Sequence, residues 1–291
     1  MSVAARPRRS VLYMPGSNAR ALDKGRNLAA DALILDLEDA VAPDAKALGR
    51  QQIVEALAAG GYGHRELVVR VNGLDSPWGR DDLQTMAKAG ADAILLPKVE
   101  SAAMVEEALS VLDHAGAPGD LPIWCMMETP LGILKVQEIA AASPRIACLV
   151  MGTSDLVKEL NAAHTPERLP VVTSLSLCLL AARAYGQAIL DGVHLDLADD
   201  EGFRLACEQG KAFGFDGKTL IHPKTLAVTN EVFSPSESEV SQARRIIEAF
   251  SAANAEGKGL VVLDGKLIEN LHVETAKRTV ALADAIAQQA A

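Results

Sequence analysis

An apolar run followed at once by an acidic or basic residue recurs along the chain, and those residues define the chemistry available to it. Asp36, Glu38 and Asp39 close the run A-L-I-L-D-L-E-D, Arg70 and Asn72 close V-V-R-V-N, and Lys98 and Glu100 follow A-I-L-L-P. Glu128 ends I-W-C-M-M-E, Asp155 lies in the turn G-T-S-D after I-A-C-L-V-M, and Asp191, His222 and Lys224 follow the last two runs. Hard oxygen donors without histidine or cysteine favour Mg2+ or Mn2+ over Zn2+. Mg2+ takes one or two protein carboxylates and leaves the other positions to water or substrate oxygens. Glu128 and Asp155 are the natural pair for it, although each could instead cap the helix that follows. Asp36 and Glu38 alternate along a strand and so share a face. There they could hold metal-bound waters, orient a basic partner, or serve as ordinary surface or capping carboxylates.

Arg70 lies inside an apolar strand, where a cation needs an anionic partner. It is either a fixed cation facing a substrate carboxylate or a developing enolate, or one half of an internal ion pair with Glu38 or Glu128. Arg20 and Lys24, one helical turn apart after P-G-S-N, suit a phosphate or simply a solvated helix face. The six histidines form no HxxxH or HxH pair, and His222 is expected to hydrogen-bond structurally. No G-x-S-x-G elbow and no P-loop is present. Cys125, Cys148, Cys178 and Cys207 are far apart in apolar contexts and are expected as buried, reduced thiols in a cytoplasmic protein.

The elements that must position these groups alternate. Eight β-rich runs begin at Ser10, Ala32, Leu67, Ala93, Ile123, Ile146, Ala188 and Lys218, with helical patterns between them such as 45–59, 101–112 and 199–213. Eight strand–helix units predict an α/β fold, a closed (β/α)8 TIM barrel, with functional groups at the carboxyl ends of the strands. The barrel is expected over 1–233. From Ser234 the rhythm changes to a C-terminal helix–hairpin–helix extension over 234–291, expected to pack on a neighbouring subunit. Ser236 and Glu239 form a capping box, Asp264-Gly265 a hairpin turn, and a last helix runs over about 273–289. The most apolar stretch, 171–185, is too short and polar to span a bilayer and is expected as a buried helix.

An apolar content of 49% supports a large core, and aromatics of only 3% leave it to Ala, Leu, Val and Ile. The net charge of −10 comes with scattered basic residues, which argues against nucleic acid as a partner. The amino terminus has no apolar stretch of the signal-peptide kind.

Taken together, R-S-V-L-Y-M-P-G-S-N at Arg9, A-L-I-L-D-L-E-D-A-V at Ala32, R-V-N at Arg70, L-P-K-V-E at Leu96, M-E-T-P at Met127, G-T-S-D-L at Gly152 and F-D-G-K-T-L-I-H-P at Phe215 resemble the citrate lyase β-subunit-like group. Malyl-CoA and citramalyl-CoA lyases, malyl-CoA thioesterases and the HpcH/HpaI aldolases belong to the same superfamily. The resemblance implies Glu128 and Asp155 as Mg2+ ligands (Mn2+ as the alternative) and Arg70 as the group stabilising an enolate. It places Glu38 and Asp39 near the metal, and Tyr13, Arg20 and Lys24 near the coenzyme A moiety of an acyl-CoA thioester. It also implies a trimer or hexamer whose C-terminal segment closes a neighbour's site.

The activity so implied is reversible, Claisen-type C–C cleavage of a 3-hydroxyacyl-CoA such as malyl-CoA or citramalyl-CoA. Thioester hydrolysis, a citryl-thioester lyase subunit and a non-catalytic acyl-CoA-binding protein are the alternatives. One departure stands out: where the group carries aspartate in M-I-D after the D-G-K turn, this chain reads L-D-G-K-L-I-E-N. Glu269 is therefore the expected acid or base of that segment, ahead of Asp264.

Overall fold

The computed structural model describes residues 6–255, 257 and 259–290. Eight short strands of almost wholly buried residues close into one parallel barrel in sequence order. They are β1 (Ser10–Pro15), β2 (Ala32–Asp36), β3 (Glu66–Arg70), β4 (Ala93–Leu96), β5 (Ile123–Met127), β6 (Ile146–Met151), β7 (Ala188–Asp191) and β8 (Gly217–Leu220). The helices of the outer layer are α1 (Ala19–Gly25), α2 (Lys46–Ala59), α3 (Gly79–Met86), α4 (Ala102–His114), α5 (Pro130–Leu134), α6 (Val136–Ala141), α7 (Thr153–Glu159), α8 (Val172–Ala184), α9 (Asp200–Phe213) and α10 (Leu226–Phe233). The barrel expected from the strand rhythm is the one observed.

Inside the barrel, alternate residues of β1 to β7 interlock: Val11, Ile34, Val68, Leu95, Trp124, Met126, Val150 and Leu190. Period-2 alternation sends the intervening residues outward to the helices, which is why the strands read as continuous apolar runs. At the amino end Arg8 closes the barrel, stacked 5.1 Å over the Trp124 ring and donating to both Glu66 oxygens at 2.6 and 2.8 Å. The four cysteines are buried and unpaired.

The helix at 172–184 is not buried all round. It packs Leu175, Cys178 and Ala182 inward, while Leu177 and Leu180 are 39% and 65% exposed. A barrel helix has only one face toward the sheet, so the apolar composition overstated its burial.

The chain divides into two compact units, residues 8–230 and a second formed by 6–7 with 231–290. In the second, α11 (Glu237–Ala255) opens with the expected capping box: the Ser236 N–H donates to Glu239 Oε2 at 2.6 Å and the Glu239 N–H to Ser236 Oγ at 3.2 Å. β9 (Val261–Leu263) and β10 (Lys266–Ile268) pair antiparallel about Asp264 and Gly265, at φ 52° and 76°, the signs a tight two-residue hairpin turn requires. The last helix, α12 (Asn270–Ala290), begins about three residues earlier than its apolar pattern indicated. The Glu269 N–H donates to His272 Nδ1 at 3.1 Å, the back-bond that a capping box makes from its fourth residue to the N–H preceding the helix. Among the described residues no helix is long and apolar enough to cross a membrane.

The seam between β1 and β8 depends on one glycine. A Cβ on Gly217 would land on the Arg8 carbonyl oxygen, well inside van der Waals contact. Gly217→Ala is expected to lower stability by about 3 kcal/mol, read as a fall in the urea midpoint. Gly119→Ala, where a Cβ meets nothing, should leave the midpoint unchanged.

Candidate active site

The carboxyl ends of β2 to β6 bring a charged cluster together. Arg70, 6% exposed, is clamped by Asp36, which accepts from Nε at 2.7 Å and from Nη2 at 2.6 Å. The bidentate partner is Asp36; the expected internal ion pair with Glu38 is also present, Oε2 lying 2.8 Å from Nη1, and Glu128 makes none with Arg70 among the described residues. Asp36 also accepts the N–H groups of Glu38 and Ala40, so one carboxylate shapes the β2 loop and holds the cation. Glu38 lies between two cations: Oε1 accepts from Lys98 Nζ at 2.6 Å, while Oε2 is 2.8 Å from Arg70 Nη1 without an aligned N–H and has no hydrogen bond. Asp39 is 60% exposed, with its carboxylate 3.9 Å from Arg70.

Neither expected metal ligand is a helix cap. Thr129 caps α5, accepting from the Gly132 N–H, and Gly152 occupies the cap of α7. Glu128, 1% exposed, accepts the Lys98 backbone N–H on Oε1 at 2.8 Å. Lys98 reaches it from φ 47°, a left-handed conformation that costs a non-glycine residue energy unless the surroundings fix it. The Glu128 carboxylate packs against Gly152, where any Cβ would overlap Oε2. Asp155, in the first turn of α7, has no side-chain partner among the described residues.

Burial, with Glu38 and Asp155 nearby, pushes the Glu128 pKa up to about 8, against the opposing pull of the Lys98 N–H and Arg70. Burial likewise raises Glu38, opposed by Arg70 and Lys98. Burial lowers the Lys98 ammonium, but the bond to Glu38 more than offsets this and holds it above its ordinary range.

These oxygens fit a hard divalent cation. Among the described residues Glu128 Oε2, Glu38 Oε2 and the Asp155 carboxylate have no hydrogen-bond donor, and burial disfavours the charge of Glu128 and Glu38. Among the described residues no three His, Cys, Asp or Glu side chains form a closed metal cage. Mg2+, satisfied by two carboxylates and several waters, does not need one.

The other expected residues fall into distinct places. Tyr13 lies under Arg70, whose guanidinium is 4.8 Å from its ring centroid, and its hydroxyl is 3.7 Å from Met126 Sδ. Arg20 and Lys24 are exposed on α1, without an ion pair among the described residues. Glu269, in the second unit, is exposed and its side chain is unbonded among the described residues, whereas Asp264 is held by Arg245 at 2.8 Å.

Asp191 does not enter the mouth, because Leu190 takes the inward position. It faces the helices, bound to Arg168 and Lys218. His222 accepts the Lys224 N–H on Nδ1, a structural bond. Two supporting residues carry no signal of their own in the sequence. Lys46, on α2, donates to the Leu37 and Glu38 carbonyls at 2.7 Å each. Asp82, on α3, accepts from Asn72 and Arg50. Only a buried charge on a helix's inward face would have marked them. An acidic cleft of about 840 Å3, lined by Glu38, Asp39, Asn72, Trp78 and Lys98 among others, opens beside the cluster.

The Glu128 shift predicts a pH dependence for the metal-free protein. The folded state keeps its proton up to about pH 8, while the unfolded carboxyl loses it near its ordinary value. Between the two, the folded state binds more protons and stability falls as pH rises. In EDTA, Tm should drop by about 5 °C between pH 5.5 and 8.5. Glu128→Gln should flatten that drop, and Mg2+ should reverse it in the wild type. A wild-type slope matching that of Glu128→Gln would contradict this reading.

The HpcH/HpaI aldolase/citrate lyase family model matches residues 9–223. A protein named (3S)-malyl-CoA thioesterase from Cereibacter sphaeroides is 53% identical over 287 residues, covering 99% of this chain and 98% of that one. Citrate lyase subunit beta of Escherichia coli is 37% identical, covering 96% and 94%. Among solved structures, the protein CitE from Mycobacterium tuberculosis, in complex with magnesium, acetoacetate and coenzyme A, superposes with a TM-score of 0.76 at 28% identity, covering 97% of this chain and 100% of that one. The barrel, its ordered strand-end motifs and these matches agree that the chain belongs to the HpcH/HpaI aldolase/citrate lyase family, in its citrate lyase β-subunit-like branch.

Proposed function

We propose that the chain hydrolyses the coenzyme A thioester of a short hydroxy dicarboxylic acid of the malyl type, giving the free acid and free coenzyme A. The observation that carries the substrate class is the mouth itself. A locked guanidinium stands near carboxylate oxygens, just after β5 and on α7, that have no hydrogen-bond partner among the described residues, which suits a substrate carrying carboxylate, hydroxyl and thioester oxygens. Hydrolysis is favoured over C–C cleavage by the 53% identity to a malyl-CoA thioesterase along the whole chain, against 37% to a citrate lyase subunit.

Mg2+, held by Glu128 and Asp155, would supply Lewis-acid polarisation of substrate oxygens. Of the five N–H donors of Arg70, Asp36 takes two and Met126 Sδ one. Nη1 also lies 2.8 Å from Glu38 Oε2, so the remaining Nη2 hydrogen is the one available to the thioester oxygen as charge develops on it, a preorganised donor of the oxyanion-hole type. Tyr13 braces that guanidinium from below. Glu38 and Asp39 set the charge around it, and Lys98 keeps Glu38 ionised and Glu128 oriented. Glu269, exposed at the start of α12, is the proposed base for water, acting on a neighbouring copy in a trimer or hexamer. Arg20 and Lys24 are proposed to meet the coenzyme A phosphates, since the charged residues lining the 840 Å3 cleft are mostly carboxylates.

C–C cleavage remains the second reading, favoured by the same Arg70 geometry, which would equally hold an acetyl-CoA enolate.

The test is a parallel assay of (3S)-malyl-CoA with Mg2+, scoring free thiol and 2-oxo acid together. Thiol without oxo acid is expected, abolished by EDTA and reduced at least ~100-fold in Glu128→Gln and Arg70→Lys, with circular dichroism confirming that both variants fold. Oxo acid without thiol would replace hydrolysis by the lyase reading. For Arg20→Ala with Lys24→Ala, KM should rise about tenfold with kcat unchanged, and the difference should shrink at high salt.

A further inference from the structure

Asn72 stands in the mouth two residues beyond Arg70, and the chemistry above leaves it without a role. The Val71 N–H between them still donates to the Leu95 carbonyl at 3.2 Å, so the alternation of β3 runs on past the end of the strand. Arg70 and Asn72 therefore share a face, about 6.6 Å apart along the chain.

The Asn72 amide is held in one orientation. It is 4% exposed, and Nδ2 donates to Asp82 Oδ2 at 2.6 Å and to the Leu37 carbonyl at 2.9 Å. The Asn72 backbone N–H reaches the same Asp82 oxygen at 3.0 Å, and Asp82, fully buried, is held in turn by Arg50. Turning the amide over would set its oxygen against that carboxylate and that carbonyl, so only one placement of nitrogen and oxygen satisfies the partners. Oδ1 accepts no hydrogen bond among the described residues, yet it is not among the side-chain atoms sealed from solvent. It is open to the 840 Å3 cleft, which Asn72 lines together with Glu38, Lys98 and Thr129, the residue after Glu128.

A fixed, neutral acceptor calls for a donor. The nearby carboxylates are committed: Asp36 to Arg70 and two N–H groups, Glu38 to Lys98 and Arg70, Glu128 and Asp155 to the proposed cation. In an acyl group of the malyl type the carboxylate and thioester oxygens only accept, and the hydroxyl alone donates. We propose that Asn72 is a specificity-determining residue, its Oδ1 accepting the hydroxyl hydrogen of the acyl group and so selecting a hydroxy acid over the corresponding deoxy acid. The inference rests on the acyl-CoA reading above and holds for hydrolysis and C–C cleavage alike.

The test uses thioethers of coenzyme A, which undergo neither reaction. S-(3-carboxy-3-hydroxypropyl)-CoA and S-(3-carboxypropyl)-CoA differ only in the hydroxyl, and the 3-fluoro analogue replaces it by a group of similar size with no hydrogen to donate. In calorimetric titrations of the full-length chain with Mg2+, the hydroxy analogue should bind about tenfold more tightly than either of the others. Asn72→Ser, which keeps a donor for Asp82 but withdraws the amide oxygen, should cut that preference to about twofold while the deoxy analogue binds within twofold of wild type. Asp82→Asn, which still offers the Asn72 amide an oxygen, should keep the preference within twofold. Circular dichroism checks the fold of both variants, and the comparison of the three analogues on the wild-type chain needs neither.

Equal weakening of the hydroxy and deoxy analogues in Asn72→Ser would make Asn72 a prop for the β2 loop and overturn the proposal. An unchanged preference in that variant, or a fluoro analogue that binds like the hydroxy one, would overturn it too. Binding of all three analogues without preference would overturn this inference alone. Failure of all three to bind the wild type would overturn the acyl-CoA reading, and this inference with it.

Discussion

The guanidinium of Arg70 sits in the mouth of the barrel almost without water, and the carboxylate of Asp36 is what allows it to stay there. Removing a cation from solvent costs several kcal/mol, recovered only by good geometry and satisfied hydrogen bonds. Two parallel N–H···O bonds at 2.7 and 2.6 Å meet that condition, and they tie β3 to β2 across the register Asp36↔Arg70. Because the same carboxylate also accepts two backbone N–H groups of the following loop, the position of Glu38 depends on the pair as well. Breaking it would strand a buried charge, a loss of about 3–5 kcal/mol, before any effect on chemistry.

The charge balance of the mouth follows from that arrangement. Asp36 and Arg70 neutralise one another, and Lys98 neutralises Glu38. Glu128 and Asp155 then remain without a cation. Metal-free, the protein settles part of this by protonation, with Glu128 held up to about 8. A divalent cation removes the need for the proton and closes the remaining difference. Lys98 serves both halves, its ammonium on Glu38 and its backbone N–H on Glu128. The strained backbone at Lys98 is the conformation that lets one residue face two carboxylates.

The barrel was legible because its evidence is repeated eight times. Each strand's buried run and each helix's pattern is a weak signal alone, but their order admits few architectures. The ion pair of Arg70 with Glu38 was legible, but the bidentate role of Asp36 was not, since Asp36 and Glu38 share a face and spacing cannot tell which of them lies in register. The conformation of Lys98 was hidden for a different reason: nothing in L-P-K-V-E marks a lysine for positive φ. Lys46 and Asp82 read as ordinary charged positions on helices, and only the folded layer shows that they hold the β2 and β3 loops from behind. In the tail, where signals are local, the capping box and the Asp264-Gly265 turn were readable residue by residue. The start of α12 was not, because Glu269 is no usual N-cap residue and only its N–H bond to His272 marks the position.

One rule of the barrel explains why the position after a strand is an ambiguous guide to function. Side chains alternate in and out, so a polar residue at a strand end faces the mouth or the helix layer according to the parity of its position. Arg70 follows Val68 inward. Asp191 follows an inward Leu190 and is therefore carried outward, where it meets Arg168 and Lys218 rather than the carboxylates of the mouth. Parity thus separates two buried charge clusters that a list of strand-end residues merges. The inward one leaves carboxylate oxygens over at the mouth. The outward one closes on itself, Asp191 accepting from Arg168 and Lys218 within the helix layer, so one structural rule decides which strand-end charges can reach the mouth at all.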